Sequence, residues 1–326
     1  MEKIWEFGAA VGMAAIVLAG CGGEEAVPVE EQETETPAEP PSEVAEAEFP
    51  MTLVDAMGDE VVIEEEPESF VSMIPSNTEI VYELGLGEKM VGVSDFDNYP
   101  EEVADLEKIG GQEFNVEKII SLQPDVVLAH ESGLGMGTDG YQQLRDAGLN
   151  VFVVENAETF EEVYETISTI GQVSGAVEAA NGLIEEMEVQ VAEIEELAAG
   201  VEETKSVFVE IGSEPELYTA GTGTFIHEML TMIQAENVAG SEEGWISMDP
   251  EAVVAANPEI IITTEGGYIE NAAELIKERS GYAEVAAVQE DAIYELNPDT
   301  VTRPGPRLTE GLMTLAEVIY PETFSE

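Results

Sequence analysis

The chain has 326 residues, 71 of them acidic against 10 basic, with two histidines and one cysteine, for a formal net charge of -61. A phosphate backbone is repelled by such a field, because nucleic-acid affinity rests on Lys and Arg displacing counterions, and a Cys/His metal centre would have only His130, His227 and Cys21 to draw on. With 44% apolar residues the acid excess describes the surface of a folded protein rather than a disordered chain, and that surface depends on salt screening, which acts over about 8 Å at about 0.15 M ionic strength.

The first segment runs from Lys3 into an apolar stretch, Phe7 to Leu18, that is too short to span a bilayer as a helix. It reads as a signal peptide over residues 1–20. The ending Leu18-Ala-Gly-Cys21 resembles a bacterial lipobox, which implies lipidation of Cys21 and anchoring to the outer face of the cytoplasmic membrane; Glu2 and Glu6 depart from the usual basic flank. No second cysteine is present for a disulfide. Residues 21–48, rich in Glu and Pro and without an aromatic, read as a tether that cannot bury enough surface to offset ordering entropy.

From Phe49 the apolar residues alternate, with Met51 to Val54 and Val61 to Ile63 around Gly58-Asp59 predicting a hairpin. Strand-like runs then recur between helical segments: Phe70 to Ile74, Met90 to Val93, Val126 to Ala129, Val151 to Val154, Val207 to Ile211, Ile260 to Thr263 and Ile293 to Leu296. That alternation predicts an α/β fold with parallel strands. In the middle, Ala180, Ile184, Met187, Val191, Ile194 and Ala198 step by three and four, predicting one amphipathic helix of about 24 residues and about 36 Å. The expected organisation is an α/β lobe at 49–174, a bracing helix at 175–200 and a second α/β lobe at 201–326.

An internal repeat relates the two lobes. Glu117-Lys-Ile-Ile-Ser-Leu-Gln-Pro124-Asp-Val-Val-Leu128 parallels Glu251-Ala-Val-Val-Ala-Ala-Asn-Pro258-Glu-Ile-Ile-Ile262, with Glu and Pro seven positions apart in each. Asn115 and Asp249 are expected as helix N-caps and Pro250 at the first helical position, so both glutamates fall in first turns. From the repeat alone they serve either as favourable charges at helix starts or as a matched pair of docking residues.

Enzymatic signatures are lacking. Gly133-Leu-Gly-Met-Gly137 follows a predicted strand, but it has neither the Lys-Ser/Thr ending of a P-loop nor the spacing of a dinucleotide fingerprint. No Gly-x-Ser-x-Gly elbow occurs. No catalytic residue is assigned.

Six segments in fixed order, Ser72-Met-Ile-Pro-Ser-Asn-Thr-Glu-Ile80, Val93-Ser-Asp-Phe-Asp-Asn-Tyr-Pro100, Phe114-Asn-Val-Glu-Lys-Ile119, Pro124-Asp-Val-Val127, Gly244-Trp245 and Thr302-Arg-Pro-Gly-Pro-Arg307, resemble the substrate-binding proteins of ABC importers for vitamin B12 and iron-siderophores, with the nearest likeness to cobalamin-binding members. The resemblance spans roughly residues 50–324. It implies two Rossmann-like lobes joined by a single long rigid helix, with the ligand in the cleft between them. It also implies a monomer that delivers cobalamin or a related corrinoid to a permease and its ATPase subunits, with a ferric siderophore or haem as the alternative cargo, and it implies no cofactor or resident metal. Glu117 and Glu251 match the residues, one per lobe, that dock on permease arginines. Phe96, Tyr218, Trp245 and Arg303 match ligand-lining positions, and Asp299 matches a polar contact of the cobalamin-binding members. Gly111 and His130 stand where aromatic residues occur in those members. Beside the resemblance, the rule that ligands sit beyond the carboxyl ends of parallel strands adds the segment Pro75 to Glu79, with Pro75, Ser76 and Asn77 foremost, and Tyr99 as candidate pocket residues.

Overall fold

The strands are sorted by their own two-residue period. In a computed structural model, which describes residues 47–136, 138–213 and 215–324, the chain opens with an antiparallel hairpin, β1 (Met51–Val54) and β2 (Glu60–Ile63). The elements β3 (Phe70–Ser72), α1 (Pro75–Glu83), β4 (Met90–Val93), β5 (Glu107–Lys108), α2 (Val116–Leu122), β6 (Val126–His130), α3 (Asp139–Asp146) and β7 (Asn150–Val154) follow. Their five strands form a wholly parallel sheet of order β5-β4-β3-β6-β7. The expected signal peptide, Cys21 and almost all of the tether lie outside the described residues, as does Gly137.

Helices α4 (Phe160–Ser174) and α5 (Val177–Ala198) come next. Beyond them are β8 (Ser206–Glu210), β9 (Tyr218–Ala220), α6 (Phe225–Met232), β10 (Glu236–Asn237), β11 (Trp245–Ser247), α7 (Pro250–Ala256), β12 (Ile260–Thr263), α8 (Ala272–Glu278), α9 (Ala286–Gln289), β13 (Ile293–Glu295), α10 (Pro298–Val301), α11 (Leu308–Ile319) and α12 (Pro321–Phe324). A second parallel sheet has the order β10-β8-β12-β13, and β9 pairs with β11 in a separate antiparallel ladder. All seven strand runs expected from the sequence are strands, with ends shifted by one or two residues.

Parallel strands covered by helices are buried on both faces. On β6, Val126 and Leu128 enter one core while Val127 and Ala129 enter another. On β12, Ile260 and Ile262 join the first of these cores and Ile261 joins a third with Phe208 and Tyr282. The shared core is the one that meets the long helix. Helix α5 buries Ala180, Met187, Ile194 and Ala198, the predicted stripe, and part-buries Ile184 and Val191. Gly171 of α4 lets the two helices approach closely, since a Cβ there would stand 2.4 Å from the Cβ of Ala180. On the other side Thr309 of α11 bonds Gln190 of α5 at 2.5 Å, so one helix packs on elements of both halves.

The repeat is structural. Helices α2 and α7 each have seven residues, begin on a side-chain cap, Asn115 or Asp249, and end on a left-handed residue, Gln123 or Asn257. Each then feeds a strand that lies beside the first strand of its own sheet, β6 beside β3 and β12 beside β8. Glu117 and Glu251 sit exposed in the two first turns, and among the described residues neither is in a salt bridge.

Candidate functional site

A cavity of about 840 Å³ opens beyond the carboxyl ends of the first sheet. Its walls come from short, locally specified loops. Ser94 donates to the buried Asp97 carboxylate at 2.5 Å and accepts from the Phe96 N–H, while Lys108 ties down the carbonyls of Ser94 and Asp97. That knot holds the loop after β4 and leaves Phe96 55% exposed over the cavity. Gly110 turns the chain with φ +101°, bringing Gly111 beneath the Phe96 ring; a Cβ on Gly111 would stand 3.0 Å from it. Phe114 stacks on Tyr141, with ring centroids 5.6 Å apart, and both line the same space.

His130 closes the cavity at the end of β6 and is 5% exposed. Its Nδ1 accepts the backbone N–H of Ser132 at 3.2 Å and lies 2.8 Å from the Ser132 hydroxyl. A backbone N–H only donates, so the ring proton resides on Nε2. Burial lowers the pKa to about 4, against a smaller opposing pull from Glu131. The ring is therefore neutral through the physiological range and presents a donor.

This shift carries a pH dependence. The unfolded histidine binds its proton near 6.5 and the folded one only near 4, so stability is full above 6.5 and is lost as pH falls toward 4. From pH 8 to 5 the native chain is expected to lose about 2 kcal/mol relative to His130→Gln. Urea melts of both at a series of pH values measure the difference, and parallel curves would refute it.

A second cavity, about 370 Å³, joins the two halves. Asn156 and Ala157 of the loop after β7 face Phe225, Trp245, Tyr268, Thr302 and Pro304. Trp245 rests edge-on against Phe225 at 5.1 Å, which fixes the indole at the cavity wall.

The remaining predicted residues divide between the lobe seam and the interior. Arg303 pairs with Glu79 and, at 2.6 Å, with Asp299, whose other oxygen accepts from Asn98 at 2.6 Å. Arg307 lies 3.6 Å from Glu79 and 4.1 Å above the ring of Tyr99. Burial pushes the Glu79 carboxyl up while Arg303 and Arg307 oppose it. Pro75, Ser76 and Asn77 start α1 and are buried, with the Asn77 amide donating to the carbonyls of Leu128 and Ala129. Tyr218 is exposed at the far end of the β9–β11 ladder from Trp245 and lines neither cavity. The structure thus gathers Phe96, Gly111 and His130 at one cavity, Trp245 at another, and Tyr99, Asp299 and Arg303 at the seam.

Sequence reasoning missed Met73, Ile74, Phe114, Ser132 and Tyr141 as cavity walls, and Glu79 as the partner of two arginines. Among the described residues every Lys and Arg is bonded to carboxylates or backbone carbonyls, and none lines either cavity.

The periplasmic binding protein family matches residues 71–300. An uncharacterized ABC transporter substrate-binding lipoprotein of Bacillus subtilis, YvrC, is 45% identical over 328 residues, covering all of both chains. A cobalamin-binding protein of Halobacterium salinarum is 27% identical over 298 residues, 87% of this chain and 79% of that one. Among solved structures, a possible iron-binding, periplasmic solute-binding protein of Staphylococcus epidermidis superposes with a TM-score of 0.72 at 37% identity, covering 78% of this chain and 100% of that one. The haem-binding protein RhuT of Roseiflexus does so with 0.71 at 25% identity, covering 78% and 99%.

Proposed function

The chain belongs to the periplasmic binding protein family, and we propose that it is the extracytoplasmic receptor of an ABC importer, lipid-anchored through Cys21, that captures cobalamin or a related corrinoid. It acts by binding, without catalysis, and hands its ligand to a permease driven by ATPase subunits. The likeness to YvrC supports the importer and lipoprotein readings, and the likeness to the cobalamin-binding protein of Halobacterium salinarum supports the ligand.

One observation carries the choice of ligand: both cavities are walled mainly by aromatic, apolar and neutral polar groups, the only charges among their described walls are the acids Glu113 and Asp139 of the larger one, and no cation lines either. A corrinoid is a broad, flat ring with uncharged amide arms. Phe96, Phe114 and Trp245 offer it faces, while His130, Ser132 and Asn156 offer hydrogen bonds. Haem brings two carboxylates, and many ferric siderophores are anionic; Glu113 and Asp139 at the larger cavity would oppose either.

Isothermal titration tests this. The chain from residue 21, expressed with Cys21→Ser to prevent lipidation, is titrated in high salt with cyanocobalamin, a ferric hydroxamate siderophore and haemin. Cyanocobalamin is expected to bind 1:1 and most tightly, and Trp245→Ala to weaken it roughly 30-fold, the loss of about 2 kcal/mol typical of a buried aromatic anchor. Silence with cyanocobalamin beside binding of either iron ligand would keep the importer and overturn the corrinoid.

A further inference from the structure

The seam between the two halves holds two of the chain's four arginines, in a protein with only ten basic residues. Arg303 and Arg307 leave the turn after α10 and point at α1 and the loop after β4. Thr302 and Pro304, the neighbours of Arg303, line the smaller cavity, and two guanidiniums beside it would make a natural seat for a carboxylate or another anion. Here that seat is already taken by Glu79, which is 1% exposed and meets both of them. Asp299 holds the second edge of Arg303, and Glu310 approaches Arg307 at 3.2 Å. Asn98 bridges Asp299 and Arg303, and Tyr99 covers Arg307. Arg303 and Arg307 thus face three carboxylates, Glu79, Asp299 and Glu310, and no positive charge at the seam is left uncompensated.

We propose that Glu79 is a specificity-determining residue, which neutralises Arg303 and Arg307 and so keeps the cleft closed to anionic ligands such as porphyrin dicarboxylates. The inference rests on the reading of the cavities as a seat for an uncharged ligand. It assigns Glu79 a positioning and screening role without contact to that ligand, since Glu79 lines neither cavity. A carboxylate that merely clamped the lobes would change stability and closure, and its removal would not create affinity for anions. Loss of the one buried carboxylate that both guanidiniums share would free the edge each turns to it, and the new affinity would be sensitive to salt.

The test compares the non-lipidated chain with its Glu79→Gln and Asp299→Asn variants, each binding cyanocobalamin by calorimetry and haemin by its Soret absorbance, at low and high NaCl. Asp299→Asn, at a less buried position, keeps the test available if Glu79→Gln does not fold; circular dichroism and thermal melts identify the folded proteins. Haemin affinity is expected to rise by about tenfold or more in Glu79→Gln, and by less in Asp299→Asn, with the gain falling as salt rises. Cyanocobalamin affinity of Glu79→Gln is expected to stay within about threefold. Folded variants with haemin affinity unchanged, or with a gain indifferent to salt, would overturn the role of Glu79. A native chain that already prefers haemin would instead overturn the corrinoid reading, and the comparison between native and Glu79→Gln would still read out the screening.

Discussion

Reversing the charge of Glu117 and Glu251 together, Glu117→Lys with Glu251→Lys, is expected to abolish uptake of labelled cobalamin by cells that depend on this receptor, while the affinity of the purified protein stays within about twofold. The two residues occupy equivalent first turns of α2 and α7, are exposed, and are in no salt bridge among the described residues. Charged pairs buried at an interface cost about 2–5 kcal/mol when one partner is removed, so two losses amount to at least about 1,000-fold in complex formation. Each single reversal should leave an intermediate rate. Both glutamates also favour their helix starts, and placing Lys there costs about 0.3–1 kcal/mol per site, too little to unfold the lobes. Melting curves of the double variant check that point. Affinity falling in step with uptake would mean that these residues shape the cleft and do not dock.

The architecture was legible because it rests on local periodicity. The parallel strands announce themselves as short apolar runs, and α5 as a stripe stepping by three and four, since each must bury specific faces. The paired glutamates were legible for a related reason: their helices are capped by Asn115 and Asp249, within two residues of each. The two-residue strands β5 and β10 carry no period and were invisible. So was the seam, where Glu79 meets arginines 224 and 228 positions later, a pairing that only the folded topology creates. The placement of Tyr218 was not readable either: the β9–β11 register sets it opposite Ser247, with Trp245 opposite Ala220 at the other end. The glycine at position 111 has a physical reason that sequence could not supply, because the Phe96 ring already fills the space a side chain there would need.

Arg279→Met is expected to destabilise the protein by about 3–5 kcal/mol, the largest stability effect among these predictions. Arg279 holds Glu210, at the end of β8, through two bonds of 2.6 and 2.8 Å, and Glu210 is 1% exposed. The same guanidinium lies 4.9 Å over the ring of Tyr282 and donates to its hydroxyl. Burial already pushes the Glu210 carboxyl up, and Arg279 is what opposes that push most strongly. Removing the arginine leaves a carboxylate in the core with no compensating charge, and that penalty is what the melt records. The sign with pH follows. A buried acid whose folded pKa exceeds its unfolded value destabilises while ionised, above the folded pKa, and the penalty is relieved as pH falls through it. Urea melts should therefore show the deficit of Arg279→Met at neutral pH shrinking on acidification. The double variant Glu210→Leu with Arg279→Met should recover most of the loss at every pH, because an apolar pair of similar size carries no desolvation cost. A deficit that persists in the double variant would assign the cost to lost packing on Tyr282 rather than to the stranded charge.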